Sequence, residues 1–305
     1  MDALAAIVTL LKPQAIGANI IHGAGHWGVR YPKFGQPSFA LVLKGRCWLA
    51  AEGSSATTLE TGDFVLFPAM PAFTLASDPR VKPRLMKPTP SEENVEELFH
   101  GDTDTEPQVT LLGGYFAFDP LNAPILLDLV PRMLHIRASE PINRGVAPIV
   151  ELIQREAREQ RAGRALVLPR LIEVMLVEAL RSVQSDLKTT GLLAGLRDMQ
   201  LAAALRGIHT QTAHPWTLVT LARAAGMSRS SFAERFAHVI GMTPLNYLLQ
   251  WRIAVAKSML AHEQKSVAET AFAVGYESAS GFSTAFSRET GRSPKEFIGA
   301  DRAAE

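Results

Sequence analysis

Few residues in this 305-residue chain combine a type and a spacing that could do chemistry. His22 and His26 stand four apart, the spacing that sets two imidazoles over one metal on a helix. Gly23, Gly25 and Gly28 run through the same stretch and make a helix costly there. The expectation is two loop histidines that hydrogen-bond or edge a pocket. Cys47, the single cysteine, lies between Arg46 and Trp48. A neighbouring guanidinium favours a thiolate and redox chemistry. A buried thiol packing as a small hydrophobe is the commoner arrangement and the one expected. Trp27, Tyr31, Phe34, Phe39 and Phe73 either line an apolar pocket or pack as core. Arg229, Arg235, Arg252, Arg288, Arg292 and Lys295 are cations of the kind that pairs with phosphate. For Arg252, a salt bridge within its own helix is the alternative.

The elements that must position those cations repeat. Phe232-x3-Phe236-x4-Gly241-x-Thr243-Pro244-x2-Tyr247 recurs as Phe282-x3-Phe286-x4-Gly291-x-Ser293-Pro294-x2-Phe297. Each copy follows an Ala-rich stretch ending in glycine, Leu221 to Gly226 and Ala268 to Gly275, and then a serine, Ser228 or Ser278. This reads as helix, glycine turn, serine N-cap, second helix, twice over. The phenylalanines lie i, i+4 and anchor the second helix of each unit. The opposite face is left free, with Arg229, Ser230, Ala233 and Glu234 in one copy and Ala279, Ser280, Ser283 and Thr284 in the other. Between the units, a helix from Thr243-Pro244 to about His262 carries Leu245, Leu248, Leu249, Ile253, Ala256 and Leu260 as a predicted stripe. Ser266-x-x-Glu269 is a capping box.

Length predicts two domains. A hydrophobic content of 47%, a charged content of 20% and a net charge of +1 describe an ordinary globular protein. Residues 213–300 hold nine Lys/Arg against six Asp/Glu, an excess too small to argue for nucleic acid alone. One cysteine allows no internal disulfide and suits a reducing cytoplasm. MDALAAIVTLLKPQ reads as an amphipathic helix and lacks the basic start of a signal peptide. No apolar run approaches the ~18 residues of a membrane span.

Residues 17–80 alternate short apolar runs with glycine turns: FALVL, CWLAA, Thr57 to Glu60, FVLF and FTLA, which predict a small barrel or sandwich. Residues 78–107 are polar and read as loop. VTLLGGYFAF returns to strand, and LLDLVPRMLHI suits a short helix and a closing strand. Residues 147–187 are helical. Leu171, Ile172, Val174, Met175, Leu176, Val177, Ala179 and Leu180 make the second helix apolar nearly all round, so it needs cover on more than one side. A partner subunit is the expected cover, and burial against the chain itself the alternative. Ser185 to Leu196 reads as a linker, and Asp198 caps a helix through His209.

Residues 198–300 resemble the DNA-binding domain of AraC/XylS-type transcription regulators, on LARAAGMSRSSFAERF, GMTPLNYLLQWRIAVAKSML and SVAETAFAVGYESASGFSTAFSRETGRSPKEF. HWGVRYP, FALVLKGRCWL, GDFVLFPAMPAF, GGYFAFD and LVPRMLHI resemble the cupin-type sensor half of one branch of that family. The resemblance implies an α+β chain: a cupin-like effector and dimerisation domain over 1–190, then over 196–300 an all-α domain of two helix-turn-helix units with seven helices. It implies base contacts at Ser230, Ala233 and Glu234, and at Ala279, Ser280, Gly281, Ser283 and Thr284. Glu234 and Thr284 stand where arginine is frequent in the family. Implied partners are a double-stranded DNA operator, a second copy of the chain, RNA polymerase and a small-molecule effector of unknown identity.

Cupins often hold a metal with three histidines and a glutamate. Counted from the hairpin glycines Gly45 and Gly62, the ligand positions fall at Tyr31 and Lys33, or Pro32 and Phe34, with Ser38 and Phe73. None is a metal ligand, so neither a metal nor a cofactor is expected, nor cupin-type enzymology. The expected protein is a cytoplasmic regulator. A regulator whose cupin-like half only dimerises is the alternative, and a cupin enzyme fused to a DNA-binding tail a remoter one.

Overall fold

The computed structural model describes residues 2–86, 97–123, 131–140, 145–159, 161–182 and 191–301. It divides into two compact units, one of sheet and one of helices. The sheet unit takes Pro13–Phe118 and Pro131–Ser185; the helical unit takes Met1–Lys12, Asp119–Val130 and Asp186–Glu305. In space the N-terminal helix and the stretch from Asp119 group with the C-terminal helices, although they lie before residue 190.

The sheet unit is a two-sheet sandwich. Strands β1 (Gln14–Ala24), β3 (Ser38–Lys44), β6 (Phe64–Phe67), β9 (Glu97–Gly101), β10 (Val109–Ala117) and β11 (Leu134–Ile136) form a six-stranded sheet in the order β11-β6-β3-β10-β1-β9. Strands β2 (Gly28–Tyr31), β4 (Arg46–Ala51), β5 (Thr57–Glu60), β7 (Phe73–Ala76) and β8 (Arg84–Leu85) form the other, in the order β5-β4-β7-β2-β8. Alternation along each strand sends one face inward, where Val42, Leu59, Val65 and Leu111 are fully buried. The β3–β4 hairpin turns at Gly45, at φ 79°, where an added Cβ would lie 2.0 Å from the Gln108 carbonyl oxygen. Buried Asp63 closes the next turn, accepting from the Glu60 and Ala138 amides and bonding His135 Nε2 at 3.0 Å. Burial pushes its carboxyl up, but these hydrogen bonds hold it, on balance, below the usual range.

Strands β8 and β9 fall inside the stretch expected to be loop. Both pair parallel, β8 with β2 and β9 with β1, and neither has a continuous apolar face. His22 is likewise in strand β1, not a loop; its Nδ1 lies 3.3 Å from Thr110 Oγ1 and its ring stacks on Phe99. His26 is exposed in the bend after β1. Cys47 is 2% exposed, and burial, aided by the Asp63 charge, pushes its thiol up to about 12, as an inert core group requires.

Two helices follow β11: α2 (Ala147–Glu159) and α3 (Arg164–Ser182). Residues 183–187 of the expected helical stretch, like 126–130 of LLDLVPRMLHI, lie outside the described residues. The cover expected from a partner is supplied mainly by the chain itself. Helix α3 packs on α2, β1 and β11, burying Ile172, Met175, Leu176 and Ala179. Leu166, Val167 and Val174 stay exposed, with Leu152 on α2.

The helical unit begins with α1 (Ala3–Leu11), capped by the Asp2 carboxylate. Residues 191–196, read as linker, are largely helix α4 (Leu192–Arg197); residues 185–190 lie outside the described residues. Seven helices follow, as the family fold implies: α5 (Met199–Thr210), α6 (Leu218–Ala224), α7 (Arg229–Ile240), α8 (Pro244–Ala261), α9 (Val267–Ala273), α10 (Ala279–Thr290) and α11 (Pro294–Asp301). Helix α1 packs on α5 and α8. Asp119, with a side chain 2% exposed, holds the second inserted stretch. It bonds His262 Nε2 at 2.8 Å, approaches Lys12 Nζ at 4.0 Å and donates its amide to the Leu11 carbonyl. Lys257 donates to the Leu121 carbonyl.

The phenylalanine repeat is the core of both helical halves. Phe232, Phe236, Phe282 and Phe286 are fully buried, each i, i+4 pair with ring centroids 5.5 Å apart. Tyr247 meets Phe236 edge-on at 5.7 Å and Phe297 meets Phe286 edge-on at 5.4 Å. On α8 the buried stripe is Tyr247, Leu248, Trp251, Ile253, Ala254, Ala256 and Leu260; Leu245, expected in it, is exposed. Replacing Phe232 or Phe282 by alanine should each cost about 3–5 kcal/mol in chemical unfolding, whereas Leu245→Ala should stay within about 0.5 kcal/mol.

Candidate nucleic-acid interface

Each helix-turn-helix unit is locked by its caps. Thr217 and Thr220 form a reciprocal capping box on α6, and Ser266 with Glu269 forms the second on α9. Ser228 accepts from the Ser231 amide to start α7, and Ser278 from the Gly281 amide to start α10. Gly241 and Gly291 end α7 and α10 in the left-handed conformation. With Phe232, Phe236, Phe282 and Phe286 buried, the outward faces of α7 and α10 are fixed.

Those faces carry the expected readers. Ser230, Glu234, Ser280, Gly281 and Thr284 are exposed; Ala233, Ala279 and Ser283 are half-buried. Glu234 has no hydrogen-bond or ionic partner among the described residues. Ser283 Oγ donates to the Ala279 carbonyl at 2.7 Å, and Thr284 Oγ1 to that of Ser280 at 3.1 Å. Both hydroxyl protons are thus engaged on their own helix, leaving only lone pairs to accept, and Ser280 is the more available reader of α10.

The cations divide. Arg229, Arg292 and Lys295 are exposed, and Arg288 is exposed with Glu289 at its Nε. Arg235 is held at 2.6 Å by Asp198, whose other carboxylate oxygen caps α5. Arg252 is engaged within the fold. It is neither a free cation nor part of an intrahelical salt bridge: Nε donates to the Thr212 carbonyl at 3.1 Å, Nη2 to that of His214 at 2.8 Å, and the guanidinium lies over the Tyr276 ring. Gly275, at φ 85°, leaves room for it, since an added Cβ would stand 2.6 Å from Nη2. The arginine therefore ties α8 to the loop before α6.

Buried His209 bonds the Tyr247 hydroxyl at 2.7 Å and its ring lies 4.1 Å from that of Trp251; burial pushes its pKa down to about 3, so it packs as a neutral ring. Its sequence context carries no signal of this.

The sheet unit contains an apolar cavity of about 150 Å³. Tyr31, Phe34, Phe39 and Phe73 line it, as expected of a pocket. Trp27 does not: it is 3% exposed in the sandwich core, and Gly23 is bare where a Cβ would stand 2.3 Å from its ring. Ser38 lines the cavity too, so in either register three of the four positions where cupins carry ligands (Ser38, Phe73 and one of Tyr31 or Phe34) are walls of an apolar space. Sequence reasoning missed Asn19, Met70, Met86 and Tyr115 as lining; Asn19 and Ile21 share one face of β1 by alternation, whereas Gly17, at φ 60°, sits at a register shift that breaks it.

Residues 2–184 match a family model described as Cupin, and residues 221–300 one described as Helix-turn-helix domain. Two helix-turn-helix units joined to a cupin half define a DNA-binding transcription regulator. The chain is 33% identical over 303 residues to a putative AraC-like transcription regulator of Streptomyces lividans, covering 97% of this chain and 98% of that protein. It is 34% identical to one of Streptomyces antibioticus over the same shares. The chain belongs to the AraC-like transcription regulators. The DNA-binding domain of AdpA, solved in complex with a target DNA, is 31% identical over 34% of this chain and 94% of that one, with a TM-score of 0.33. Among the described residues no helix is long and apolar enough to cross a membrane.

Arg252→Ala should destabilise the helical unit by about 1–3 kcal/mol by leaving two carbonyls unpaired. It should leave the salt dependence of DNA binding unchanged, whereas Arg229→Ala should flatten that dependence by about one unit of slope. Fluorescence-anisotropy titrations from low to high salt separate the two roles.

Proposed function

We propose that this regulator is a cytoplasmic homodimer that reads a double-stranded operator with α7 and α10 and answers to a small molecule held in its cupin-like half. The cavity carries the effector reading. The pocket is partly open, so its aromatic walls stand in water until a molecule covers them, and burying that apolar surface favours occupancy. That favours an effector over the alternative in which the sheet unit only dimerises. The reading is non-enzymatic: the aromatic and hydroxyl groups at the cupin ligand positions offer no set of imidazoles and carboxylates to activate a substrate through a metal. Activation would add RNA polymerase as a partner; repression would not.

Base reading falls to Ser230, Ala233 and Glu234 in one groove segment and to Ala279, Ser280, Gly281, Ser283 and Thr284 in the other. Arg229, Arg288, Arg292 and Lys295 supply phosphate contacts. A carboxylate accepts from cytosine N4, so Glu234→Ala should relax preference at one segment by about 1–3 kcal/mol per affected base pair. Ser280→Ala should act more weakly on a segment about one turn, ~34 Å, away. A randomised-operator selection on the two variants tests this; shifts at the same base pairs would show that the two helices are not separate readers.

The exposed Leu166, Val167 and Val174 on α3 support a two-fold contact narrower than the whole helix. Sedimentation of the full chain should give a dimer, and Leu166→Glu with Val174→Glu a monomer of unchanged helical content. A dimer that survives the double change places the interface elsewhere.

A further inference from the structure

We infer that the ligand of the cavity is an uncharged molecule of about one aromatic ring, bearing one hydroxyl that meets Tyr31 and Ser38. This rests on the reading of the cavity as the effector site and names the chemistry that site selects.

Size comes first. The pocket is partly open and the space its walls enclose is about 150 Å³, the size that holds a single benzene ring, so the ring is the part of the ligand the walls surround. The walls set the shape. Tyr31 stacks on Phe73 with centroids 5.0 Å apart, and Phe34 meets Tyr115 edge-on. Bare backbone at Gly113 and Gly114 faces the space, and a Cβ on Gly114 would come within 3.0 Å of the Phe39 ring. Aromatic faces beside side-chain-free backbone favour a flat ring over a branched aliphatic group. Met70 and Met86 supply polarisable contacts.

Charge comes next. Among the described residues no Lys, Arg, His, Asp or Glu lines the cavity. A carboxylate or ammonium in the enclosed part would be stripped of water with no charged side chain among the described lining residues to pair it, which is strongly unfavourable. One hydroxyl, by contrast, has partners. The Tyr31 hydroxyl makes no hydrogen bond among the described residues, and burial raises its pKa, which keeps the donor proton on. Ser38 Oγ gives its proton to the Gln36 carbonyl at 3.1 Å and keeps its lone pairs to accept one. A ligand hydroxyl can accept from the first and donate to the second.

The test uses the full chain labelled with ¹³C at the methionine methyls, titrated at neutral pH with p-cresol, toluene, benzoate and hexanol. p-Cresol should shift the Met70 and Met86 methyls saturably, with benzoate weaker by about 30-fold or more. Tyr31→Phe should weaken p-cresol about tenfold and leave toluene unchanged. Ala40→Leu, which adds volume to a cavity-lining position, should abolish both. Should Ala40→Leu fail to fold, the Tyr31→Phe comparison and the methyl shifts still decide the matter. Benzoate or hexanol binding as tightly as p-cresol, with the same two methyls shifted, overturns the ligand class and leaves the effector site standing. If none of the four moves either methyl up to its solubility limit, both the class and the site fall.

Discussion

Everything exposed on the recognition helices depends on the packing of two phenylalanine pairs. An i, i+4 pair occupies one stripe of a helix and leaves the opposite stripe outward, so burying Phe232 with Phe236 and Phe282 with Phe286 fixes which residues face a groove. The edge-on rings of Tyr247 and Phe297, one helix further on, brace the second member of each pair. Rotating either helix by one residue would swing about 100° of surface inward and bring Glu234 or Ser280 toward the core, at the cost of desolvating them. Reading geometry and stability therefore share one set of contacts.

The helical unit also takes in parts of the chain far from it in sequence. Strands β1 and β10 both line the cavity, and their ends pair as Gln14 with Ala117. Along the chain, β1 is preceded by α1 and β10 is followed by Asp119, and both segments belong to the helical unit. Asp119 is nearly sealed from water, with His262 and Lys12 as its ionic neighbours. A buried carboxylate is stable only while such partners are present. Cutting the chain near residue 190 would remove that carboxylate and α1 from the helices they pack on, so the two units are poor candidates for isolation at that boundary.

The helical unit was legible because its signals are local. Caps, glycine turns and i, i+4 phenylalanines each act within a few residues, and caps expected at Asp198, Ser228, Ser266 and Ser278 form as their side chains dictate. What escaped is non-local. Strands β8 and β9 take their order from parallel neighbours and not from their own exposed, mixed residues. The Arg252 clamp needs two carbonyls some forty positions away, and helix α4 replaces an expected linker because Leu192 and Leu193 find a core to enter. Whether an apolar helix such as α3 is covered by its own chain or by another cannot be decided from its composition, since either burial gives the same pattern.

The cupin half shows how one scaffold position changes its chemistry. A sandwich interior points the side chains of facing strands at a common centre, which suits imidazoles around a metal as readily as rings around an apolar ligand. With Ser38, Phe73 and either Tyr31 or Phe34 at those places, the centre loses its imidazoles and carboxylate and gains aromatic surface. The polar groups that remain are hydroxyls, amides and backbone, which discriminate by hydrogen-bond fit and by the cost of stranding a charge, not by ionic attraction. Such a site trades raw affinity for rejection of ions, a selectivity that follows from desolvation alone and does not need an arginine or lysine to enforce it.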